Sequence, residues 1–369
     1  MRRVAKRRPI GLGGKLGPKS DSRAQKARRI VRESAPPERR CGAGFTRSRP
    51  PRPTPVFDTY WRFAAERQRV FHRRVQSLGP PWSDDPILQR YKFTNAYRAS
   101  DRVSQYLIRN VIYDRERSFR DTFLRVLLFK IFNRIGTWEI LRAALGEELT
   151  ESSFDVRRVD QVLEGEIAVR RPVYSAAYIM PTGGRRGVRK HRLHLELLAR
   201  MLRDRAPERI LCARDMRAAY EILLAYPTVG PFLAYQWVTD LNYAPHLEFN
   251  EMEFVMPGPG ARDGLRKCFA DFGDRSEGDL IRQTADTKDE HFARLGIVFQ
   301  SLWGRSLQLI DCQNLFCEVD KYARVAHPEF TGLSGRLRIK QRFRPSPERV
   351  TPWYPPKWEI NVHLPAPLP

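Results

Sequence analysis

The spacing of apolar residues in the middle of the chain restricts its fold more strongly than any other feature. From Val56 onward, apolar side chains recur every three or four residues, beginning with Phe57, Trp61 and Ala64. This spacing is typical of one face of an α-helix. Asp58 is expected to cap this first helix, and the Gly-Pro-Pro run at residues 79–81 to end it.

The same periodicity predicts further helices along the centre of the chain. One is expected from Asn95 to Tyr113, and another from Ser118, where Ser118 and Asp121 match the capping-box pattern. The remaining predicted helices cover residues 137–145, 153–163, 191–203, 215–226, 231–241, 286–303 and 306–326. β-branched runs are scarce, and only residues 173–179 suggest a short strand pair. The predicted fold class is therefore mainly α.

Charge is concentrated at the two ends of the chain. Of the formal net charge of +24, residues 1–55 carry +14 and residues 336–369 carry +5, which leaves +5 for residues 56–335. Both ends are rich in Pro and lack apolar periodicity. We interpret residues 1–55 as a disordered basic arm, residues 56–335 as a helical domain and residues 336–369 as a basic Pro-rich tail. Basic ends raise affinity for phosphate backbones, but they could equally serve only for targeting or solubility.

Several kinds of site have no support in the sequence. The cysteines form no CxxC pair and no metal-ligand spacing, so no metal site is predicted; they are Cys41, Cys212, Cys268, Cys312 and Cys317. The glycine-rich residues 11–20 lack a Gly-Lys-Ser/Thr triplet, so no P-loop is predicted. No particular cofactor is indicated.

The sequence also bears on where the protein acts. No apolar run approaches the ~20 residues that cross a bilayer, so no membrane partner is expected. The amino terminus has no apolar segment of the kind found in secretory signals. We expect an intracellular protein, which would be cytoplasmic, or nuclear through the basic residues 3–8 if its host has a nucleus.

A turn between two predicted helices is similar to a DNA-binding hairpin. Residues 226–234 contain Gly230, followed by Pro231, which suits the first position of a helix. Helix-hairpin-helix modules use a Pro-Gly-Val-Gly turn whose backbone N–H groups approach a DNA phosphate. Thr228 replaces the first glycine of that turn. The alternative is an ordinary connection between packed helices.

Polar residues that follow this turn could form a pocket. Asp240 and Asn242 end the second helix, and Glu251 lies about twenty residues beyond Gly230, where helix-hairpin-helix glycosylases place a functional carboxylate. The glycines of the next turn, Gly258 and Gly260, would allow the backbone to approach a ligand closely. The alternative for the acids is that they are solvated surface charges.

Two further segments carry polar residues on one helical face. The first is formed by Asp311, Asn314, Glu318 and Lys321, and the second by Arg98, Asp101, Arg102 and Gln105. Polar groups on a mostly apolar helix are costly to bury unless they are paired or used, so the first face predicts either a core network or a pocket wall. The second suits contact with phosphate and bases, or a structural Arg–Asp network.

Together, these segments resemble one protein family. The resemblance rests on WSDDPIL (82–88), FTNAYR (93–98), DRVSQYL (101–107), LFKIFN (128–133), DLNY (240–243), GPG (258–260) and DCQNLFCE (311–318). The family is the helical domain associated with 5-hydroxymethyluracil DNA kinases, also described as alpha-glutamyl/putrescinyl thymine pyrophosphorylase. It is considered related to helix-hairpin-helix DNA glycosylases. The resemblance covers roughly residues 57–327.

The resemblance implies that the chain handles a thymine-derived base in DNA, turned out of the base stack. Without a P-loop of its own, the chain would depend on a separate P-loop DNA kinase as a partner for phosphorylation. The hypothesis is a base-modifying or base-recognising protein with a glycosylase-like fold. Its expected catalytic residues are Asp240, Asn242, Glu251, Asp311, Asn314 and Glu318. Its expected DNA-binding residues are Arg98, Arg102, Gln105, Gly230, Gly258, Gly260 and Lys321. The alternatives are a non-catalytic DNA-binding module that recruits a separate enzyme, and a helical scaffold.

Overall fold

Helices dominate the described part of the chain, which comprises residues 49–365 without residues 147, 183–186 and 347–348 in the computed structural model. This confirms the predicted mainly α fold class. Residues 1–48 of the predicted arm lie outside the described residues, and so do residues 366–369 of the predicted tail. Within the described residues, no helix is both long enough and apolar enough to cross a membrane.

The helices are α1 (Pro55–Val75), α2 (Pro86–Arg90), α3 (Arg102–Tyr106, continued by a π-helical turn Leu107–Ile112), α4 (Phe119–Phe132), α5 (Ile135–Leu145), α6 (Val156–Ala168), α7 (Lys190–Arg203), α8 (Ala206–Leu211), α9 (Met216–Leu224), α10 (Pro231–Leu241), α11 (Pro259–Cys268), α12 (Glu277–Asp286), α13 (Lys288–Arg294) and α14 (Leu309–Ala326). Strands β1 (Arg52–Pro53) and β2 (Phe269–Asp271) pair antiparallel, with Arg52 opposite Asp271. Short 3₁₀ turns cover Arg98–Ser100, Pro356–Trp358 and Asn361–His363.

Helix capping explains where α1 and α4 begin. Thr54, rather than the predicted Asp58, caps α1 and accepts a hydrogen bond from the Val56 N–H, because Pro55 suits the first helical position. Asp58 lies in the first turn of α1 and pairs with Arg294. Ser118 caps α4 by accepting from the Asp121 N–H, as predicted.

Three predicted elements differ from the structure. The single helix expected over residues 95–113 is interrupted, because hydrogen bonds to its polar side chains hold residues 94–97 in a non-helical conformation. The helix expected over residues 286–303 is wrong beyond Arg294, since α13 ends there and residues 295–308 are irregular. Residues 173–179 form no strand.

Both predicted ends have segments that pack on the domain. In the predicted arm, the Thr54 N–H donates to the Cys268 carbonyl at 2.8 Å. In the predicted tail, Tyr354 is fully buried, and its hydroxyl lies 2.8 Å from the Ser100 hydroxyl. Backbone pairing and isolated aromatic anchors hold these segments, and neither produces a periodic apolar pattern.

Helix α4 lies at the centre of the core. Every residue in it is buried except Arg120 and Asp121, and it packs against α7, α8 and α10. Its apolar residues are distributed around the helix, which requires cover on all sides, and its two buried cations, Arg125 and Lys130, pair with Asp114 and Asp240. Helices α11 and α14 form a second centre, where they pack closely against each other and against α1.

Glycines in α11 allow this close packing. A Cβ atom on Gly264 would lie 2.0 Å from the Phe316 carbonyl oxygen, and one on Gly260 would lie 2.3 Å from the Cys317 sulfur. A Cβ on Gly258 would lie 2.7 Å from the Phe232 ring. At Gly258 and Gly260 the space that a side chain would take is therefore occupied by protein atoms, so packing is sufficient to explain these glycines.

We expect Gly264→Ala to lower the free energy of unfolding by about 1–3 kcal/mol or more, because the added methyl group overlaps the backbone of α14. The matched control is Gly165→Ala in α6, where a Cβ atom meets nothing within 4 Å. That change should be neutral or stabilise by up to about 1 kcal/mol. Urea unfolding followed by circular dichroism measures both. Equal stabilities of the two variants would contradict the packing explanation.

Candidate functional site

A basic cleft of about 820 Å³ opens between α1, residues 80–105, and residues 342–346 and 349–351. Among the described residues, seven Lys and Arg side chains and five aromatic side chains line it, together with one acidic side chain, Asp101. Cationic side chains beside aromatic rings suit a ligand that has both a phosphate and a stacking base. The charge of this cleft therefore favours an anionic aromatic ligand.

The packing of the cleft wall fixes several of these side chains. The Arg74 guanidinium lies 5.2 Å from the Trp82 ring, and that of Arg342 lies 5.0 Å from the Tyr91 ring. The C-terminal segment pairs with the domain here, because the Phe343 N–H donates to the Arg90 carbonyl at 3.1 Å. The predicted tail thus supplies one wall of the basic cleft.

The floor of the basic cleft includes Asn95, Ser100 and Asp101, and helix α14 holds this segment in place. The Glu318 carboxylate accepts a hydrogen bond from the Thr94 N–H at 3.0 Å. The Asn314 amide donates to the Thr94 hydroxyl at 3.1 Å. The predicted polar face of this helix is therefore a network that positions the cleft floor.

Two further groups of that face continue this network. The Asp311 carboxylate accepts from the Arg98 N–H at 2.8 Å and from the Gln308 N–H at 3.0 Å. Lys321 pairs with Glu318 at 2.6 Å. Burial raises the pKa of Asp311 to about 6, although the Gln308 and Arg98 N–H groups oppose that shift.

Of the described residues that line the cleft, Asp101 is the one with an acidic side chain. Its carboxylate accepts a hydrogen bond from the Asn95 N–H at 2.8 Å. Burial raises the pKa of Asp101 to about 7, and Glu318 adds to the shift, whereas the Asn95 N–H, Arg67 and Arg98 oppose it. A carboxyl group with a pKa near neutrality can accept or donate a proton at cellular pH.

Arg67 also belongs to this site, and the sequence analysis missed it. Its guanidinium donates to the Thr94 carbonyl and to the Asn95 side-chain oxygen, both at 3.0 Å. Burial lowers the pKa of Arg67 to about 10, so the group keeps its charge at neutral pH. Arg67 and Arg74 lie seven residues apart on α1, a spacing that places them on one helical face and could have revealed this wall.

Arg98 forms the centre of a separate, buried network. It is only 2% exposed. Its guanidinium donates to Gln236 at 3.0 Å, to Asp240 at 2.8 Å and to the Tyr243 hydroxyl at 2.9 Å. Because all these bonds are internal, the burial of Arg98 argues against the predicted contact with DNA.

Asp240 is the fully buried anion of this network. It pairs with Arg98 on one oxygen and with the Lys130 ammonium at 3.2 Å on the other. Burial alone would raise the pKa of Asp240, but Arg98 and Lys130 outweigh it, and the pKa is lowered. Burial lowers the pKa of Lys130, and Asp240 opposes that shift.

The remaining residues predicted as catalytic lie away from the cleft lining. Glu251 pairs with Arg305 at 2.8 Å, and the Arg305 guanidinium lies 3.7 Å from the centre of the Trp358 ring. The Asn242 amide donates to the Phe249 carbonyl and accepts from the Phe249 N–H, each at 3.0 Å. None of the six residues predicted as catalytic lines the basic cleft. Asn314 and Glu318 hold its floor through Thr94, and the others bond elsewhere in the domain.

The predicted DNA-binding residues are also divided. Arg102 and Gln105 line the basic cleft, whereas Lys321 acts through its pairing with Glu318. Gly230 caps α10 outside the cleft lining. Thr228, which replaces the first hairpin glycine, has a φ angle of 68°, the left-handed conformation that glycine favours.

Comparisons with known proteins identify a family. The family described as "5-hmdU DNA kinase, helical domain" matches residues 54–332. A 5-hmdU DNA kinase of Bacillus phage SP10 is 25% identical over 287 residues, which cover 72% of this chain and 45% of the phage protein. The chain thus spans less than half of that relative. No solved structure matches.

Breaking the buried network should destabilise the fold. We expect Arg98→Met to lower the free energy of unfolding by about 3–5 kcal/mol, because Asp240 would lose its closer partner. The control is Arg102→Met, at an exposed position of the cleft, which should change stability by no more than about 0.5 kcal/mol. Urea titrations compare the two. A mild effect at Arg98 would show that the ion pair is not needed for stability.

The raised pKa values of Asp101 and Asp311 also predict a pH dependence. Between an unfolded pKa near 4 and folded values of about 7 and about 6, the folded state binds more protons than the unfolded state. Stability should therefore fall as pH rises from about 4 to about 7. Asp101→Asn should flatten this fall, as measured by urea unfolding at several pH values. An unchanged profile would contradict the raised pKa of Asp101.

Proposed function

The chain belongs to the family of the helical domain of 5-hmdU DNA kinase, and from that membership we propose that it binds DNA containing 5-hydroxymethyluracil. In this proposal the modified nucleotide is turned out of the base stack and enters the basic cleft. The family match includes α1 and the whole cleft floor, and of the described lining only the wall formed by residues 342–346 and 349–351 lies beyond it.

The main support for this proposal is the composition of the basic cleft. Its volume of about 820 Å³ is within the range of pockets that hold small organic ligands, roughly 300–1,000 Å³. Arg102 and Arg342 would contact phosphate, and the half-buried Tyr91 offers an aromatic surface beside them. A nucleotide needs both kinds of contact.

Asp101 would distinguish the modified base from thymine. A hydroxymethyl group differs from the methyl group of thymine by one hydroxyl, which can donate a hydrogen bond to a carboxylate. Asp101 is the carboxylate in the cleft lining. A hydrogen bond to a charged group contributes about 1.5–3 kcal/mol, which corresponds to a preference on the order of tenfold or more.

Phosphoryl transfer would come from a separate P-loop DNA kinase acting on the nucleotide that this chain presents. The relative is a kinase from a bacteriophage, which favours the cytoplasm of a bacterial host over a nucleus as the place of action. The Gly230 turn would add a backbone contact to a DNA phosphate, as helix-hairpin-helix modules do.

A second candidate is a chain that itself takes part in catalysis. The raised pKa of Asp101, about 7, favours this possibility, because a carboxylate with that pKa can remove a proton from a hydroxymethyl group. Against it, the predicted catalytic acids Asp240 and Asp311 are used in buried hydrogen bonds and ion pairs. Recognition of the base therefore has the stronger support.

We expect the full chain to bind a duplex with one 5-hydroxymethyluracil about tenfold more tightly than the same duplex with thymine. Asp101→Asn should remove most of this preference and retain affinity for thymine DNA. Fluorescence anisotropy at moderate salt measures both. Equal affinity for the two duplexes would overturn recognition of the base and leave a module that reads only the backbone.

Arg102→Gln should weaken binding to both duplexes and make the dependence of log K on log salt shallower by about 0.9, the value for one lost phosphate contact. The matched control is Arg157→Gln, an exposed arginine on α6 outside the cleft lining. It should leave the slope unchanged. If the slope of log K against log salt becomes shallower by the same amount in both variants, the salt dependence comes from the overall charge and not from the cleft.

A further inference from the structure

A cluster of one histidine and two carboxylates lies between α6 and α7. Asp160 and Glu164 are one turn apart on α6, and His191 is the second residue of α7. The His191 Nε2 atom lies 3.0 Å from Asp160 Oδ1 and 3.2 Å from Glu164 Oε1. The three ligand atoms are all within 4.8 Å of one another. None of these residues lines the basic cleft.

Two of these atoms are buried without a hydrogen bond. His191 is 2% exposed and Asp160 is 5% exposed, yet neither His191 Nε2 nor Asp160 Oδ1 makes a hydrogen bond. The two atoms are close enough for a hydrogen bond, so the orientation of the imidazole relative to the carboxylate is what prevents one. Buried polar atoms without a hydrogen bond are rare in native proteins and call for an explanation.

We propose that Asp160, Glu164 and His191 bind a divalent transition-metal ion. Bonds of 2.0–2.2 Å from zinc to nitrogen and oxygen ligands in a tetrahedron place the ligand atoms roughly 3.3–3.5 Å apart. The observed 3.0 and 3.2 Å contacts are close to that spacing. An imidazole with two carboxylates suits Zn²⁺ or Mn²⁺. Glu164 keeps a side-chain exposure of 30%, which leaves a path for the ion and room for water as a further ligand.

Neighbouring arginines orient the carboxylates. The Arg192 guanidinium bonds to Asp160 Oδ2 through Nε at 3.0 Å and through Nη2, which leaves Oδ1 facing His191. Hydrogen bonds of this kind to the outer oxygen are common around metal ligands. Arg189 contacts Glu164 Oε1 at 3.0 Å, and this exposed side chain can move aside. The alternative is an ion-pair network of these five residues that needs no metal.

Calorimetric titration of the chelator-treated full chain with Zn²⁺ tests the proposal, with Mn²⁺ as a second probe. We expect one ion per chain and an increase in Tm, because an ion that binds only the folded state stabilises it. Glu164→Gln should weaken binding at least tenfold. Its matched control is Glu166→Gln, on the same helix, whose carboxylate faces Arg171 and should not affect binding.

His191→Ala should abolish binding, and Co²⁺ bound to the unmodified chain should give visible absorption that this variant lacks. His191 is buried, so the variant's circular dichroism is recorded first. If this variant does not fold, the comparison of metal binding by Glu164→Gln and Glu166→Gln tests the proposal instead. No saturable binding, or equal binding by these two Glu variants, would overturn the proposal and leave an ion-pair network. Neither result depends on the binding of DNA.

Discussion

The buried ion pair between Arg98 and Asp240 is the interaction on which the rest of the structure depends. Two charges this deep in the protein are stable only when each is paired and hydrogen-bonded. Arg98 also donates hydrogen bonds to Gln236 and Tyr243, and Asp240 accepts one from Arg98 and forms an ion pair with Lys130. With Lys130, the pair therefore joins the 3₁₀ turn Arg98–Ser100 to helix α10 and to the central helix α4. It fixes the one segment of the cleft floor that has no regular helical bonding of its own.

The cleft floor is held from its other side by α14. Carboxylates and an amide on one face of that helix bond to the backbone and side chain of Thr94 and to the Arg98 N–H. The close approach of α11 to α14, which Gly260 and Gly264 permit, sets where that face lies. Packing between two helices thus determines the position of Asp101, although neither helix lines the cleft. The raised pKa of Asp101 follows from the burial that this arrangement produces.

Residue spacing predicted several helices of the fold, but not α2, α8, α11 or α12. The apolar periodicity and Ser118 capping gave α4, and the turn at Gly230 gave the start of α10, because both depend on local preferences. The polar face of α14 was also visible in the sequence. The function of this face could not be predicted, because polar residues recur every three or four positions both in a core network and in a pocket wall. The interruption near Asn95 was not predicted. Asp101 accepts a local hydrogen bond from the Asn95 N–H, but the groups that hold Thr94, on Glu318 and Asn314, lie more than two hundred residues away.

By itself, the sequence determined the helical class, the basic ends and the resemblance to one family, since these follow from composition and local order. The tertiary structure decided which polar residues meet. It placed Arg98 in the core and Arg102 at the cleft, although they are four residues apart. It also brought His191 against Asp160. The physical reason is that burial and pairing are properties of distant contacts, and no local pattern encodes which side chain reaches which partner.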